Sequence, residues 1–148
     1  MPLQGEYEPS TSGWVRDQVE AYERSLGTEA STLRDTGLPV IIVTTRGNKS
    51  GKVRKTPLMR VEYEGQYALV ASQGGAPRHP VWYYNLQANP NEVTIQDGPE
   101  PFDVTVREAT GSERAEWWER AVTAFAPYAT YQTKTKRLIP LFVATRRN

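Results

Sequence analysis

Six basic residues, Arg46, Lys49, Lys52, Arg54, Lys55 and Arg60, fall within one stretch of the chain that contains no acid. Gly47 and Gly51 interrupt it, and glycine lets a backbone approach a ligand closely enough for its N–H groups to bind oxyanions. Lys49 and Arg54 flank the turn, so their cationic ends could converge on one phosphate or carboxylate. The chain as a whole has 18 Lys+Arg against 17 Asp+Glu. Outside the basic stretch, 12 basic residues therefore face those 17 acids. Charge concentrated this way points to a local anion site more than to a nucleic-acid surface, although a solvated basic hairpin would show the same pattern.

What is missing narrows the chemistry further. There is no cysteine, and His79 is the only histidine. That removes disulfide scaffolds, thiolate nucleophiles, Cys-based zinc sites and any site that needs two imidazoles, so no metal is expected. A Ser-His-Asp triad would have to use His79, and no G-x-S-x-G elbow presents a serine to it. His79, set between Arg78 and Pro80, reads as a loop residue. Catalysis by such a chain is expected to come from a bound cofactor.

The elements that must position these residues follow from periodicity. At 148 residues and 38% hydrophobic content, one domain over residues 1–148 is expected. Residues 1–11 are polar and rich in Pro, Ser and Thr, the composition of a flexible tail. Over 12–26, Trp14, Val15, Val19, Tyr22 and Leu26 recur at helical spacing, with Gly27 placed to end the helix. This amphipathic helix could be a lid, a foot on a membrane surface, or simply docked. Its acids Asp17, Glu20 and Glu23 argue for only weak attraction to anionic lipid.

The core is expected over 38–148. Val40 to Val43 reads as a buried strand, Thr45 to Lys52 as a loop, and Arg54 to Tyr63 as a strand hairpinned at Glu64-Gly65 onto Gln66 to Ser72. Pro80 fits the first turn of a short helix over Val81 to Ala88. Val93 to Gln96 and the alternating Phe102, Val104 and Val106 are strands. Thr110 and Glu113 form a capping box for a helix reaching Phe125 with Trp117 and Trp118 on its packed face. A Tyr-rich stretch then leads to a last strand, Ile139 to Ala144. The sum is an α+β domain of about six strands on an antiparallel barrel with flanking helices. No apolar run approaches the ~20 residues of a membrane span and the N-terminus lacks a secretory layout, so a cytoplasmic protein is expected.

Two longer motifs add a resemblance. Thr44 to Leu58, taken with Val70 to Pro90 (VASQGGAPRHPVWYYNLQANP), resembles the deazaflavin-dependent nitroreductase family, and the likeness runs from about Gly37 to the C-terminus. The family implies a split β-barrel that uses coenzyme F420 for hydride transfer. Asn48, Lys49 and Ser50 match the segment that meets the coenzyme's phosphate and glutamate tail, with Arg54 as a second cation. Lys55, Thr56, Pro57, Leu58 and Met59 match the strand along the deazaflavin ring. Val70, Ala71, Ser72 and Gln73 match its neighbouring strand. Val81, Trp82, Tyr83, Tyr84 and Asn85 match the short helix whose N-terminus faces polar ligand groups. Tyr128 and Tyr131 match tyrosines at the substrate end, and Ser72, Tyr128 or Tyr131 would supply the proton.

The resemblance is incomplete. Gln73 stands where the nitroreductase that names the family has lysine, and Met59 and Phe125 stand where tyrosines are expected. The implied function is an F420H2-dependent reductase passing hydride to a quinone or nitroaromatic acceptor, with no nucleic-acid partner. An FMN-dependent oxidoreductase on the same barrel and a non-catalytic deazaflavin carrier stay open. So does peripheral contact with the inner face of the plasma membrane through the N-terminal helix.

Overall fold

The computed structural model describes residues 3–33 and 36–147. Met1 and Pro2 of the expected tail, and Asn148 at the end of the expected core, lie outside the described residues. The sheet is built around β1 (Val40–Arg46), whose two neighbours are β2 (Val53–Met59) and β5 (Val93–Gln96). Successive side chains of a strand point to opposite faces, and here both faces are buried. Val40 and Ile42 enter one core with Val19, Tyr22, Met59 and Tyr128, while Ile41 and Val43 enter another with Leu86, Ile95 and Phe142. That accounts for an unbroken β-branched run. Ile41, Ile95, Leu69, Leu86 and Leu141 are fully buried, each contributing about 1.5–3 kcal/mol of transfer free energy.

The remaining strands are β3 (Glu62–Tyr63), β4 (Gln66–Val70), β6 (Pro101–Glu108) and β7 (Leu141–Arg146), in the order β2-β1-β5-β6-β7-β4-β3 with every ladder antiparallel. β2 also comes alongside β4, so the sheet curls into a split barrel. Among the described residues four helices flank it: α1 (Gly13–Arg24), α2 (Val81–Ala88), α3 (Gly111–Ala124) and α4 (Pro127–Thr133). None of them is long and apolar enough to cross a membrane.

Four sequence expectations need correction. The antiparallel split barrel is as expected, with seven strands among the described residues, but Arg54 to Tyr63 is not one strand. It breaks at Arg60-Val61, where the Arg60 N–H bonds the Pro39 carbonyl and its guanidinium bonds Asp97 at 2.8 Å. β2 thus pairs along its whole length with β1, and only Glu62–Tyr63 hairpins onto β4.

Thr45 and Arg46 belong to strand β1 rather than the loop, paired with Arg54 and Val53. Thr110 sits at the helix N-cap, but its side chain makes no capping bond, and Glu113 pairs with Arg107 instead of reaching back.

The described part of the N-terminal stretch is docked. Tyr7 bridges Val53, the Glu8 N–H bonds the Val53 carbonyl at 2.9 Å, and the Val53 N–H bonds the Glu6 carbonyl at 2.7 Å. The physical reason is that β2 is an edge strand with unpaired backbone groups on its outer side, and a polar extended segment can satisfy them.

Candidate functional site

Asn85 joins the elements around the basic loop. It lies on α2 and is almost wholly buried. Its Oδ1 accepts the Asn48 backbone N–H at 3.0 Å, and its Nδ2 donates to Thr45 Oγ1 at 3.3 Å. The loop closes on itself through Gly47 N–H to Lys52 O at 2.8 Å and Gly51 N–H to Gly47 O at 2.9 Å. A Cβ on Gly47 would stand 2.8 Å from Ser50 Oγ and 3.3 Å from the Lys52 carbonyl oxygen, so a larger residue would make Ser50 turn and the loop give slightly. Asn85→Ala removes the amide partners of the buried Thr45 hydroxyl and the part-buried Asn48 N–H, and a buried orphan costs about 1–3 kcal/mol. A drop of that size in urea-unfolding free energy is expected. Stability within error of the parent would show that water replaces the amide and that Asn85 does not fix the loop.

A cavity of about 590 Å³ lies between this loop and the start of α2. Asn48, Lys49, Ser50 and Arg54 line it with Val81, Tyr84 and Asn85, and so does Glu8. A second cavity of about 160 Å³ shares Arg54, Val81 and Asn85 and extends past Lys55, Thr56 and Trp82 to Val15 of α1. Together they form one groove. The N-terminus of α2 opens on it, with the partial positive charge and free N–H groups that favour an anion there. Its far wall is the outer edge of β2. Because Val53 bonds outward to residues 6 and 8 and Arg60 bonds inward to Pro39, the ladder alternation points Lys55, Pro57 and Met59 outward. Pro57 has no N–H to lose at such a position. Lys55 lines the groove, and the Pro57 carbonyl lies on the same outer edge of β2.

The basic stretch is less free than its composition implies. Arg46 pairs with Glu92, Lys52 with Glu6, Lys55 with Glu23, and Arg60 with Asp97 and Glu62. Arg54 pairs with Glu8 at 3.1 Å across a half-exposed contact. Among the described residues Lys49 alone of the six forms no ion pair. Lys49 and Arg54 are therefore the cations most available to the cavity, and Glu8, which composition alone had put in a tail, stands against Arg54 there. Lys55 offers only its backbone, since its ammonium lies against Glu23 and over the Tyr7 ring.

Other candidates lie elsewhere. Val70 and Met59 are buried in the first core beside Tyr128, and Leu58 packs with Trp82 on the second. Ala71 and Ser72 are buried, and Gln73 is exposed at the turn that follows. Tyr83 faces away from the groove: its ring packs on His79 at 4.2 Å and Phe142 at 5.6 Å, and its hydroxyl accepts from Gln87. The Tyr83 side chain does not line either part of the groove. Tyr128 packs against Phe125 and Tyr131, with ring centroids 5.0 and 6.3 Å away. Burial raises its hydroxyl well above the ordinary tyrosine value, with a smaller contribution from Tyr131, so it stays protonated at neutral pH. Tyr131 is only partly buried. A further cavity of about 590 Å³ lies between Arg60-Glu62 and α3, but its charges are of both signs and no candidate residue lines it.

α1 is docked, with Val19 and Tyr22 buried and Val15 walling the groove. Tyr22 accepts the Gly98 N–H at 2.8 Å.

A family model described as F420H(2)-dependent quinone reductase matches residues 14–146. The chain is 39% identical over 112 residues to an F420H(2)-dependent quinone reductase of Mycobacterium tuberculosis, covering 74% of each. A solved structure of an F420-H2 dependent reductase, FDR-A, is 57% identical with a TM-score of 0.68, covering 72% of this chain and 93% of the other. Another, described as a domain-swapped dimer, is 51% identical with a TM-score of 0.70, covering 91% and 99%. A haem-binding protein of Mycobacterium smegmatis, 17% identical with a TM-score of 0.56 over 83% of this chain and 50% of its own, shares the fold alone.

Proposed function

Because this chain belongs to the F420H(2)-dependent quinone reductase family, we propose that it reduces a quinone-like acceptor with reduced coenzyme F420 bound in the groove beside Lys49 and Arg54. One observation carries the placement: two cations and a helix N-terminus meet at one end of a groove whose other end runs along an exposed strand edge. A ligand with an acidic tail and a planar ring has that polarity, so the residues present fit the coenzyme. The family speaks for F420 over flavin mononucleotide.

Lys49 and Arg54 would hold the anionic tail, helped by the first N–H groups of α2. The Lys55 backbone and the Pro57 carbonyl would orient the ring by hydrogen bonds that side-chain exchange does not alter. Val15 and Trp82 would wall the ring and exclude water, which strengthens every polar contact inside. When bound, the reduced coenzyme supplies a hydride, and the acceptor needs one proton besides to become a hydroquinone. Tyr131 would be the donor, since it is less buried than Tyr128 and packs on the same core as Val15 of the groove wall; nitroaromatics would be adventitious acceptors at the same place.

Tyr131→Phe should lower kcat by about tenfold or more, in the range of a lost general acid, with coenzyme affinity within about twofold of the parent. Equal loss of both, or of neither, removes Tyr131 from this role. The reading as a whole is tested by titrating the full chain with reduced F420, following tryptophan quenching, and then adding menadione. Saturable binding with oxidation of the coenzyme by menadione is expected. Binding without turnover would favour a carrier, and binding of reduced FMN in place of F420 would overturn the assignment.

A further inference from the structure

Arg137, in the segment between α4 and β7, holds a turn that no sequence signal connects to it. Its Nε donates to the Ala76 carbonyl at 2.9 Å, Nη1 to the Ala71 carbonyl at 3.1 Å, and Nη2 to the Ser72 carbonyl at 2.7 Å. Nη1 also meets His79 Nδ1 at 3.0 Å. One planar group thus ties the entry of the turn, its exit and the loop beyond. The turn needs such a tie. Gln73, Gly74 and Gly75 have φ of 45°, 64° and 81° in succession, and a non-glycine residue in the left-handed region is strained. Only two bonds close the turn from within, Gly75 N–H to Ser72 O and Ala76 N–H to Gln73 O. Strain of this kind persists only where the surroundings over-determine it.

We propose that Arg137 is a positioning residue for the reductase reaction, fixing the Ser72–Gly75 turn against α4 so that Ser72 and Tyr131 stand at a set spacing around the acceptor. The inference rests on the function proposed above. The geometry carries it on two sides. Gly75 lies against the Tyr131 carbonyl, close enough that an added Cβ would stand 2.7 Å from it. The Arg137 carbonyl accepts from Gln132 at 2.8 Å, and Gln132 in turn accepts the Ile139 N–H, so the guanidinium is anchored to the helix that carries Tyr131. All four of its acceptors are neutral, three carbonyls and a ring nitrogen. His79 must present Nδ1 unprotonated, and both burial and Arg137 hold its pKa below the ordinary 6.5. Lysine has the charge of arginine but not the planar fork, so it cannot reach both flanks of the turn.

The test uses the full chain with Arg137→Lys and Arg137→Ala. Amide hydrogen exchange at Gly75 and Ala76 in the ligand-free protein should quicken at least about tenfold in Arg137→Lys, as the local opening free energy falls. Menadione turnover should fall about tenfold or more, because misplacement by an ångström is that costly. The dissociation constant for reduced F420 should change by less than about threefold, since its charged anchors lie elsewhere. Millimolar guanidinium should restore turnover of Arg137→Ala in a saturable way. Parent-like exchange and turnover in a folded Arg137→Lys would overturn the proposal. So would a matched loss of melting temperature, affinity and turnover that guanidinium does not reverse, because that pattern belongs to a general folding role. An unaltered chain that fails to bind or oxidise reduced F420 sinks the function itself, a result distinct from either variant's.

Discussion

Replacing Lys49 and Arg54 together by alanine is expected to weaken binding of reduced F420 by about two orders of magnitude, close to 2.7 kcal/mol. Two lost charge-assisted bonds would supply about 1.5–3 kcal/mol each in a buried site. Here both side chains reach solvent and Arg54 already shares its charge with Glu8, so screening trims the sum. The melting temperature should stay near the parent's, because neither side chain belongs to a core. Glu8→Gln should act in the opposite direction, tightening binding by a few-fold at low salt, since it removes the carboxylate that competes for Arg54. Both effects should shrink as ionic strength rises. Fluorescence titrations at two salt concentrations test this, and an unchanged dissociation constant in the double variant would move the coenzyme's tail away from this loop.

The contrast between Lys49 and its five basic neighbours shows what the sequence could and could not disclose. The motif around Asn48 and Lys49, the strand Val40 to Val43 and the helix opened by Pro80 are local facts, fixed by residue type and spacing within a dozen positions. The partners that quench the other cations are not local. Glu92 meets Arg46, Asp97 meets Arg60 and Glu23 meets Lys55, each from more than 30 residues away, and periodicity carries no information about such pairs. The break at Arg60-Val61 was hidden for the same reason, since it follows from where the two sheet edges must lie once the barrel closes. Residues 3–11 read as a tail because their composition is polar, yet polar backbone is what an open strand edge recruits. Arg137 gave no signal at all: three of its four acceptors are carbonyls, which any sequence would provide, and the fourth, His79, lies 58 residues away. Tyr83, by contrast, stood inside a long motif and still turned away from the groove, because alternate faces of a two-turn helix cannot both look at one ligand.

Gly75→Ala is expected to cost about 2–5 kcal/mol of folding stability, a fall in melting temperature of about 5–15 °C for a chain of this length. Part of the cost is conformational, because φ is +81° and an L-residue there loses about 1–2 kcal/mol. The larger part is steric. The new Cβ would lie 2.7 Å from the Tyr131 carbonyl oxygen and 3.1 Å from Tyr131 Cα and Lys134 Cβ. The first two are backbone atoms that no rotamer change can move, so α4 itself must shift, at the roughly 1–3 kcal/mol typical of overpacking. Gly74→Ala is the control. Its φ of +64° is similarly left-handed, but nothing lies within 4 Å of its Cβ, so only the strain of about 1 kcal/mol should register. Calorimetry of the two variants separates the terms. Equal melting temperatures would mean that α4 does not press on the turn. A larger loss at Gly75, with turnover reduced in the protein that remains folded, would tie the Tyr131 helix to the position of Ser72.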